Sequence, residues 1–225
     1  MRAMILAAGR GERLRPLTDA VPKPLIDVGG KPLILHHIER LRRAGITELV
    51  INVSWLGDRI EAALGDGRRL GVRIRYSREP CAPLETAGGI RQALPLLGRA
   101  PFLVVSADVF TDFDPATLAA TEADALAHLV LVDNPPHHAG GDFALADGRV
   151  LARGARRLTY SGIGRFRAEL FAGLAPGVRA LRPVLEASIA AGRVTGEHHT
   201  GTWVDVGTPE RLQLLNRVLA DGAPR

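Results

Sequence analysis

Two glycines and two basic side chains near the N-terminus form the first candidate site. Gly9 and Gly11 follow an apolar run, and Arg13 comes two residues after the second glycine. Glycines let a backbone approach a phosphate closely, and successive free N–H groups form an anion-binding concavity. Lys23 stands between two prolines, which restrict the backbone around its ammonium group. These residue types predict binding of a phosphorylated small molecule.

The choice between lysine and arginine carries information in this chain. Only two of the 29 basic residues are lysines, at positions 23 and 31. A planar guanidinium such as that of Arg13 suits an outer phosphate, whereas the compact ammonium of Lys23 can follow a phosphate whose geometry changes. Lys31 follows a Gly-Gly pair, and we interpret it as a surface residue.

The glycine loop matches neither of the two common nucleotide-binding patterns. The dinucleotide fingerprint requires a third glycine where this chain has Leu14, and a Walker loop requires Gly-Lys at Leu14 and Arg15. By itself, the loop is equally consistent with a tight turn after a strand.

Carboxylates follow another apolar run. Asp108 comes just after 102–106, at the sheet edge where we expect the glycine loop. Mg²⁺ is normally held by one or two carboxylates together with substrate phosphates and water, so Asp108 is a candidate ligand. Asp112 and Asp114 form a D-x-D pair of the kind that could serve a glycosyltransferase. A helix cap at Asp114, before Pro115, is the favoured interpretation.

The elements that must position these residues follow from hydrophobic periodicity. Short apolar or alternating runs predict strands at 3–8, 48–53, 72–76, 102–106 and 126–132, with hairpin strands near 143–145, 150–151 and 158–166. Helical spacing predicts helices at 33–45, 58–64, 88–97, 179–191 and 209–219. Alternating βα units predict an α/β fold: a Rossmann-like, mostly parallel sheet flanked by helices, with a small β-hairpin lobe, in one domain.

Composition limits the class of partner. The 225 residues are 46% hydrophobic and 24% charged, as in a globular protein with a sizeable core. The formal charge of +5 favours anionic ligands, while 4% aromatic residues supply few stacking platforms for single-stranded nucleic acid. We therefore expect small-molecule substrates and no nucleic acid.

The cysteine content and the lengths of the apolar runs indicate the cellular compartment of the protein. The single cysteine, Cys81, excludes an internal disulfide and is typical of a reducing environment. The first apolar run has six residues, which is shorter than the roughly 7–15 of a signal peptide, and no run approaches the roughly 20 of a membrane span. We expect a cytoplasmic protein with no membrane partner, and a monomer.

A longer motif surrounds the glycine loop. Residues 6–18 read LAAGRGERLRPLT and residues 22–24 read PKP. This run resembles the opening pattern of the sugar-1-phosphate nucleotidyltransferases (nucleotide-sugar pyrophosphorylases), L-A-A-G-x-G-x-R-hydrophobic-x-P-L-T followed by P-K-P. The resemblance implies a nucleotide-diphospho-sugar transferase fold, and attack by a sugar-1-phosphate oxygen on the α-phosphorus of a nucleoside triphosphate. It also implies that Arg13 and Lys23 are catalytic. The implied nucleotide-binding residues are Leu6, Ala7, Ala8, Gly9, Gly11, Arg13 and Lys23.

The same resemblance extends to residues that bind a metal ion in the family. Residues 203–209 read WVDVGTP and match the family's W-x-D-V-G-T-P, which implies that Asp205 is the second Mg²⁺ ligand beside Asp108 and lies near the sugar. Ala107 replaces the glycine that usually precedes the first aspartate of the family. This departure bears on the local backbone rather than on the carboxylate.

A third part of the sequence resembles the family segment that binds the base and the sugar. Glu79 and 83–89 correspond to it, with Glu85 in place of a frequent glycine and Gly88 completing the nucleotide-binding set. Glu85 either accepts hydrogen bonds from hydroxyl groups or sits favourably at a helix N-terminus. Glu79 can pair with N1–H and N2–H of guanine or with N3–H of uracil, so GTP and UTP both remain open.

Nearly the whole chain resembles bacterial uridylyltransferases of peptidoglycan recycling, which act on N-acetylmuramic acid 1-phosphate with UTP. That resemblance implies a mainly nucleotide-binding half at 1–115 and a mainly sugar-binding half at 126–208, with Asn134, Gly141 and Asp142 near the sugar. The alternatives are a guanylyltransferase that uses GTP and mannose-1-phosphate, a glycosyltransferase, and a non-catalytic sensor. Three His-His pairs (36–37, 137–138, 198–199) lack i,i+4 metal spacing, and we predict surface or strand positions for them rather than zinc ligation.

Overall fold

A computed structural model describes residues 1–80, 83–119 and 124–221, so Cys81 lies outside the described residues. The strands in these ranges are β1 (Arg2–Leu6), β2 (Asp27–Val28), β3 (Lys31–Pro32), β4 (Glu48–Val53), β5 (Arg73–Arg78), β6 (Phe102–Ser106), β7 (Val109–Thr111), β8 (Ala127–Val132), β9 (Phe143–Ala146), β10 (Arg149–Leu151), β11 (Arg157–Phe166), β12 (Val194–His199) and β13 (Trp203–Asp205).

The helices lie between these strands and after the last of them. They are α1 (Leu17–Ala20), α2 (Leu33–Arg43), α3 (Gly57–Leu64), α4 (Glu85–Leu97), α5 (Pro115–Ala119), α6 (Glu169–Ala172), α7 (Leu181–Ala190) and α8 (Pro209–Ala220). Short 3₁₀ turns occur at Glu12–Leu14, Lys23–Leu25, Arg68–Leu70 and Pro136–His138. In the described ranges no helix combines the length and the apolar character that a membrane crossing requires.

The main sheet has nine strands in the order β5-β4-β1-β6-β11-β8-β12-β10-β9. The first four strands are parallel, and β12 is parallel to β8. Strand β11 runs antiparallel to both β6 and β8. The predicted α/β architecture with a helix-flanked central sheet is confirmed. Most strands of the sheet point the same way, and β11 and β10 run antiparallel to their neighbours.

Alternation along β1 explains the two helical layers. Ala3 and Ile5 face a core shared with α2, α3 and α5, whereas Met4 faces a core shared with α4, α6 and α7. Successive side chains of a strand point to opposite faces, so a central strand needs an apolar run without alternation. This burial places the carboxyl ends of β1, β4 and β6 at one sheet edge, where the glycine loop begins.

Three antiparallel strand pairs complete the fold, one of them the short hairpin of β2 and β3. Strands β9 and β10 form the predicted hairpin, but it extends the sheet, since β10 pairs with β12 and β9 pairs with β11. Strands β7 and β13 form a separate antiparallel pair. Helix α8 follows β13 and packs Leu215 against Val28, Leu33 and Val206. This third apolar cluster anchors the C-terminal segment of the site beside the N-terminal one.

Candidate active site

A cavity of 660 Å³ opens at the carboxyl edge of the parallel strands. This is the location where α/β sheets bind ligands, outside the strand ends. Predicted site residues that line it are Leu6, Ala7, Ala8, Gly9, Gly11, Arg13, Lys23, Glu79, Glu85 and Asp108. The fold thus brings together positions that are up to about one hundred residues apart in the chain.

Different physical reasons explain why Gly9 and Gly11 are glycines. Gly11 has a φ of 70°, and a Cβ there would lie 3.0 Å from Thr18 Cγ2 and 3.2 Å from Lys23 Cβ. The Thr18 hydroxyl donates a 2.9 Å hydrogen bond to the Gly11 carbonyl, which fixes the turn. A Cβ at Gly9 would meet no protein atom within 4 Å. Gly11 is therefore required by the protein, whereas Gly9 faces open space in the cavity.

Asn52 and Glu79 brace the loop from below. Asn52 accepts a 2.8 Å hydrogen bond from the Ala7 N–H and donates one of 2.7 Å to Glu79 Oε1. Glu79 Oε2 accepts a 2.8 Å bond from the Leu84 N–H. A Cβ at Gly89 would lie 2.4 Å from Glu79 Oε1, so only glycine fits there. Both Glu79 oxygens therefore hold protein groups, although the residue lines the cavity.

Lys23 and Asp108 form an ion pair on the cavity wall. Lys23 is 8% exposed, and its Nζ donates to Asp108 Oδ2 at 2.7 Å. Desolvation alone would raise the pKa of Asp108. The Lys23 charge and hydrogen bonds from Lys23 and Ser106 outweigh it and hold the pKa below its ordinary value. Asp108 is therefore a carboxylate at neutral pH.

The second predicted metal ligand, Asp205, lies on the strand beside Asp108. Strand β13 pairs with β7, and the Val206 N–H donates a 2.8 Å hydrogen bond to the Asp108 carbonyl. Trp203 ties β13 to the main sheet, because its indole N–H donates to the Ser161 carbonyl at 2.9 Å. The register pairs Asp205 with Val109, the residue after Asp108, so the two aspartates are one position out of register across a pairing that joins the two halves of the chain.

Asp205 forms an ion pair with Arg211, a residue to which the sequence motifs gave no role. Arg211 Nη1 donates to Asp205 Oδ1, and His137 Nε2 lies 3.1 Å from Asp205 Oδ2. A Cβ at Gly207 would lie 2.4 Å from Arg211 Nη2 and 3.1 Å from Arg13 Nη2. Two guanidinium groups therefore flank Gly207, which itself lines the cavity.

The two aspartates supply oxygen ligands of the kind that Mg²⁺ prefers. Within the described residues there is no cluster of three or more His, Cys, Asp or Glu side chains able to hold a metal alone. The Asp108 and Asp205 carboxylates have the donor chemistry for an ion that would complete its shell with phosphate oxygens and water, and each now pairs with a cation, Lys23 or Arg211. They do not fit a fully protein-bound metal.

Glu85 has an unusual backbone for its type. Its φ is 57°, a left-handed conformation that costs most side chains free energy, and it lines the edge between the nucleotide cavity and a second cavity. Gly88, by contrast, packs against the loop that precedes α7. A Cβ at Gly88 would lie 2.4 Å from the Gly177 carbonyl oxygen, and its N–H donates to the Arg179 carbonyl at 3.1 Å.

The second cavity, of 420 Å³, adjoins the first and shares Leu6, Glu85, Thr86 and Ser106 with it. Its own lining residues include an apolar group and two charged side chains: Phe143, Tyr160, Leu181, Leu185, Asp142 and Arg182. A β-bulge in β11, between Tyr160 and Gly164, interrupts the ladder where this wall forms.

The predicted sugar residues occupy different places around this cavity. Asp142 lines it, and its Oδ2 accepts a 2.9 Å hydrogen bond from the Tyr160 N–H. Asn134 instead donates to the Ala139 and Arg157 carbonyls, at 3.0 Å each. Gly141 has a φ of 57°, and a Cβ there would lie 2.7 Å from Asn134 Oδ1. Asn134 and Gly141 therefore shape the loop that carries Asp142.

The remaining acidic motif has structural partners. Asp114 Oδ1 accepts a 2.9 Å hydrogen bond from the Ala116 N–H, which confirms the predicted helix cap. Asp112 Oδ1 lies 2.8 Å from His199 Nε2, and its Oδ2 accepts a bond from the Thr202 N–H. Neither residue lines the nucleotide cavity.

One histidine prediction was wrong. His37 lies in helix α2 rather than on the surface or in a strand, and it is 2% exposed. Its Nε2 lies 2.7 Å from the Val109 carbonyl oxygen, beneath the strand that follows Asp108. Burial lowers the pKa of His37 to about 4, so the ring is neutral and donates this bond.

Several residues of the site were missed by sequence reasoning, among them Asn52, Thr86, Tyr160, Arg182 and Arg211. Asn52 carried a usable signal, because it is a polar residue near the end of an otherwise apolar buried strand, and buried polar groups need partners. Thr86 lies within the family segment 83–89 but was not singled out there, and Arg182 stands in an amphipathic helix where nothing local separates it from surface residues.

Comparison with known proteins identifies the family. The family model described as nucleotidyl transferase matches residues 2–144. The chain is 57% identical over 222 residues to N-acetylmuramate alpha-1-phosphate uridylyltransferase of Neisseria meningitidis, covering 95% of this chain and 96% of that protein. It is 46% identical over 116 residues to mannose-1-phosphate guanyltransferase beta-B of Xenopus laevis, covering 50% of this chain and 32% of that protein.

A solved structure matches the fold. The inositol-1-phosphate CTP transferase from T. maritima superimposes with a TM-score of 0.80 at 19% identity, covering 100% of this chain and 98% of that one. At this identity the likeness concerns the architecture alone. The family model covers more than half of the chain and the relative nearly all of it, so the chain belongs to the nucleotidyl transferase family.

Proposed function

We propose that the protein transfers a uridylyl group from UTP to N-acetyl-α-muramic acid 1-phosphate, giving UDP-N-acetylmuramic acid and pyrophosphate, as a step of peptidoglycan recycling. The observation that carries this proposal is the 57% identity, over nearly the full length of both chains, to the relative of that name. The adjoining nucleotide-sized and sugar-sized cavities at one sheet edge support it.

The chemistry needs alignment and charge neutralisation rather than a protein nucleophile. An oxygen of the sugar phosphate forms a bond to the α-phosphorus, the bond from that phosphorus to the bridging oxygen breaks, and pyrophosphate leaves with the electron pair. The Ala7–Gly11 backbone cradles the nucleotide, with the open face of Gly9 allowing close approach. Arg13 lies beside Gly207 and contacts an outer phosphate.

Lys23 stabilises the charge that develops at the α-phosphate. Its flanking prolines and its low exposure limit its reach, and Asp108 holds it in place until a phosphate competes for it. Asp108 and Asp205 hold Mg²⁺ together with substrate oxygens. Bound there, the ion would neutralise phosphate charge and act as a Lewis acid on the reacting phosphate.

The two halves of the chain divide the recognition. Residues 1–115 mainly bind the nucleotide, with Glu79, Glu85 and Gly88 around the base and ribose. Residues 126–208 mainly bind the sugar, with Asp142 in the second cavity and Asn134 and Gly141 supporting its loop. Because both Glu79 oxygens accept bonds from the protein, Glu79 positions Asn52 and Leu84 as well as facing the base.

The second candidate keeps the chemistry but uses GTP and mannose-1-phosphate. It is favoured by Glu79 and by the guanyltransferase relatives. However, the Xenopus laevis protein matches only 50% of this chain and contributes 32% of its own length. A glycosyltransferase that uses Asp112 and Asp114 is less favoured, since both carboxylates already bond to backbone N–H groups.

A substrate matrix tests the proposal. Four nucleoside triphosphates are each paired with the 1-phosphates of N-acetylmuramic acid, N-acetylglucosamine, glucose and mannose, with Mg²⁺, and pyrophosphate release is measured. We expect the highest kcat/KM with UTP and N-acetylmuramic acid 1-phosphate. Turnover with GTP and mannose-1-phosphate alone would establish the second candidate. Sugar transfer from a preformed nucleotide sugar to an acceptor, without pyrophosphate release, would refute both.

A further inference from the structure

We propose that Arg182 recognises a carboxylate on the sugar and so distinguishes N-acetylmuramic acid from N-acetylglucosamine. The inference rests on the proposed function, because these two sugars differ only by the lactyl ether that carries the carboxylate. It assigns a specificity role to a residue outside every motif identified in the sequence.

The second cavity supplies one basic group for this task. Of the described residues that line it, Arg182 is the single lysine or arginine. The other charged lining residues are Glu85 and Asp142, which would repel a carboxylate. Arg182 is therefore the single described side chain of this cavity that can attract a sugar carboxylate, and Asp142 lies beside it.

The guanidinium of Arg182 is oriented but not fully engaged. Its Nε donates to Glu186 Oε1 at 2.9 Å and its Nη1 reaches Asp142 Oδ1 at a longer 3.3 Å, while its carbon lies 5.6 Å from the Phe143 ring centroid. No hydrogen bond joins Nη2 to another described residue. The Nη1 and Nη2 edge can thus receive a carboxylate in the two-bond geometry that arginine favours.

The existing partners of Arg182 compete only weakly with a substrate. The Arg182 and Glu186 side chains are 50% and 46% exposed, and an i,i+4 pair of this exposure contributes little. Asp142 already accepts a bond from the Tyr160 N–H and lies 3.1 Å from His138 Nε2. Its contact with Arg182 can therefore lengthen without leaving the carboxylate unpaired.

The apolar wall completes the recognition. Phe143, Tyr160, Leu181 and Leu185 line the same cavity as Arg182, and the Phe143 ring centroid lies 5.6 Å from the guanidinium carbon. A lactyl ether presents one methyl group beside its carboxylate, so an apolar wall next to a guanidinium matches both parts of the substituent. Mannose has neither group, which gives this cavity a physical reason to prefer an N-acetylmuramic acid derivative.

The test compares binding of two nucleotide sugars to the whole protein by calorimetry. UDP-N-acetylmuramic acid and UDP-N-acetylglucosamine are titrated into wild type, R182A, R182K, E186Q and, as a matched surface control, R149A. Arg149 is exposed and donates to the Gly192 carbonyl on another part of the sheet. Thermal unfolding of each variant confirms that it is folded.

We expect R182A to weaken binding of UDP-N-acetylmuramic acid relative to UDP-N-acetylglucosamine by about 10- to 100-fold, the range for a charge-assisted pair. R182K should retain part of the preference. E186Q should leave the preference close to that of wild type, because Glu186 pairs with Nε rather than with the Nη1 and Nη2 edge, and R149A should not change it.

The outcomes separate the two proposals. If R182A weakens both nucleotide sugars equally, or leaves the preference unchanged, Arg182 is not the specificity residue and the uridylyltransferase proposal stands. If wild type binds neither nucleotide sugar and makes neither from UTP, the proposed function fails and the role of Arg182 fails with it.

Discussion

Lys23 Nζ and Asp108 Oδ2 lie 2.7 Å apart, although 85 positions separate the two residues in the chain. Lys23 comes from a 3₁₀ turn between two prolines, and Asp108 follows the end of β6. The pair joins the cation proposed for the α-phosphate to a carboxylate proposed for Mg²⁺. It holds the lysine ammonium on the wall of the cavity.

Replacing Lys23 with alanine should lower kcat about 10²- to 10³-fold, the range for loss of one preorganised charge donor. Lys31, the other lysine, provides a matched control because it pairs with Glu39 on the surface, with both side chains about one-third exposed. K31A should stay within a few-fold of wild type in steady-state pyrophosphate release. Equal losses in the two variants would contradict a specific role for Lys23.

Asp108→Asn and Asp205→Asn should each reduce turnover at least about 10²-fold, and chelation of divalent ions should abolish wild-type turnover. The measurement is initial rate against Mg²⁺ concentration. D112N is the control, since Asp112 bonds to His199 and to the Thr202 N–H away from the cavity. A glycosyltransferase-type D-x-D site would instead make D112N the most damaging of the three changes.

D108N should also destabilise the fold, because it leaves the Lys23 ammonium without its anionic partner. Breaking a fully buried pair costs about 3–5 kcal/mol, but the Asp108 side chain is 42% exposed, so we expect about 1–2 kcal/mol. Urea unfolding of D108N and of the double variant K23M/D108N measures this cost. Unfolding free energies that are equal in D108N and wild type would refute it.

Glu85→Gly should stabilise the protein by about 0.5–1 kcal/mol, because glycine removes the left-handed strain at φ 57°. The same change should raise KM for the sugar phosphate if the carboxylate binds a hydroxyl. D147G, at another left-handed position (φ 48°), should give the stability gain without a kinetic effect. An unchanged KM in E85G would assign Glu85 to the helix N-terminus alone.

The stability of the protein should fall as the pH decreases from about 6.5 to about 4. His37 has a folded pKa of about 4 and an ordinary pKa of 6.5, so the unfolded chain binds the extra proton in this window. The pKa difference corresponds to about 3 kcal/mol, fully present above pH 6.5. Urea unfolding against pH measures it, and H37Q, which keeps an N–H donor, should flatten the profile. A profile with the same slope in H37Q would exclude His37 as the cause.

Local patterns were sufficient for the elements that are buried on both faces. Strands β1 and β6 are apolar apart from one terminal residue each, and β4 carries only Glu48 and Asn52 as polar residues, a pattern that a central strand of an α/β sheet needs. Strands β12 and β13 were not expected, because VTGEHH mixes polar residues with half-buried positions and WVD is only three residues long. Strand β12 forms because it pairs with β8, and β13 forms because it pairs with β7. Such pairing is not encoded within a few residues.

The sequence alone determined which chemistry the protein has. Gly11, Lys23, Asp108 and Asp205 stand in motifs specific enough to name the family, since phosphate approach and metal binding demand particular residue types at fixed spacing. Tertiary structure decided what those residues touch. The pairing of β7 with β13 joins the aspartates, Asn52 and Glu79 turn inward to brace the loop, and α7 brings Arg182 to the second cavity. Such contacts depend on packing between distant segments, which no local pattern records.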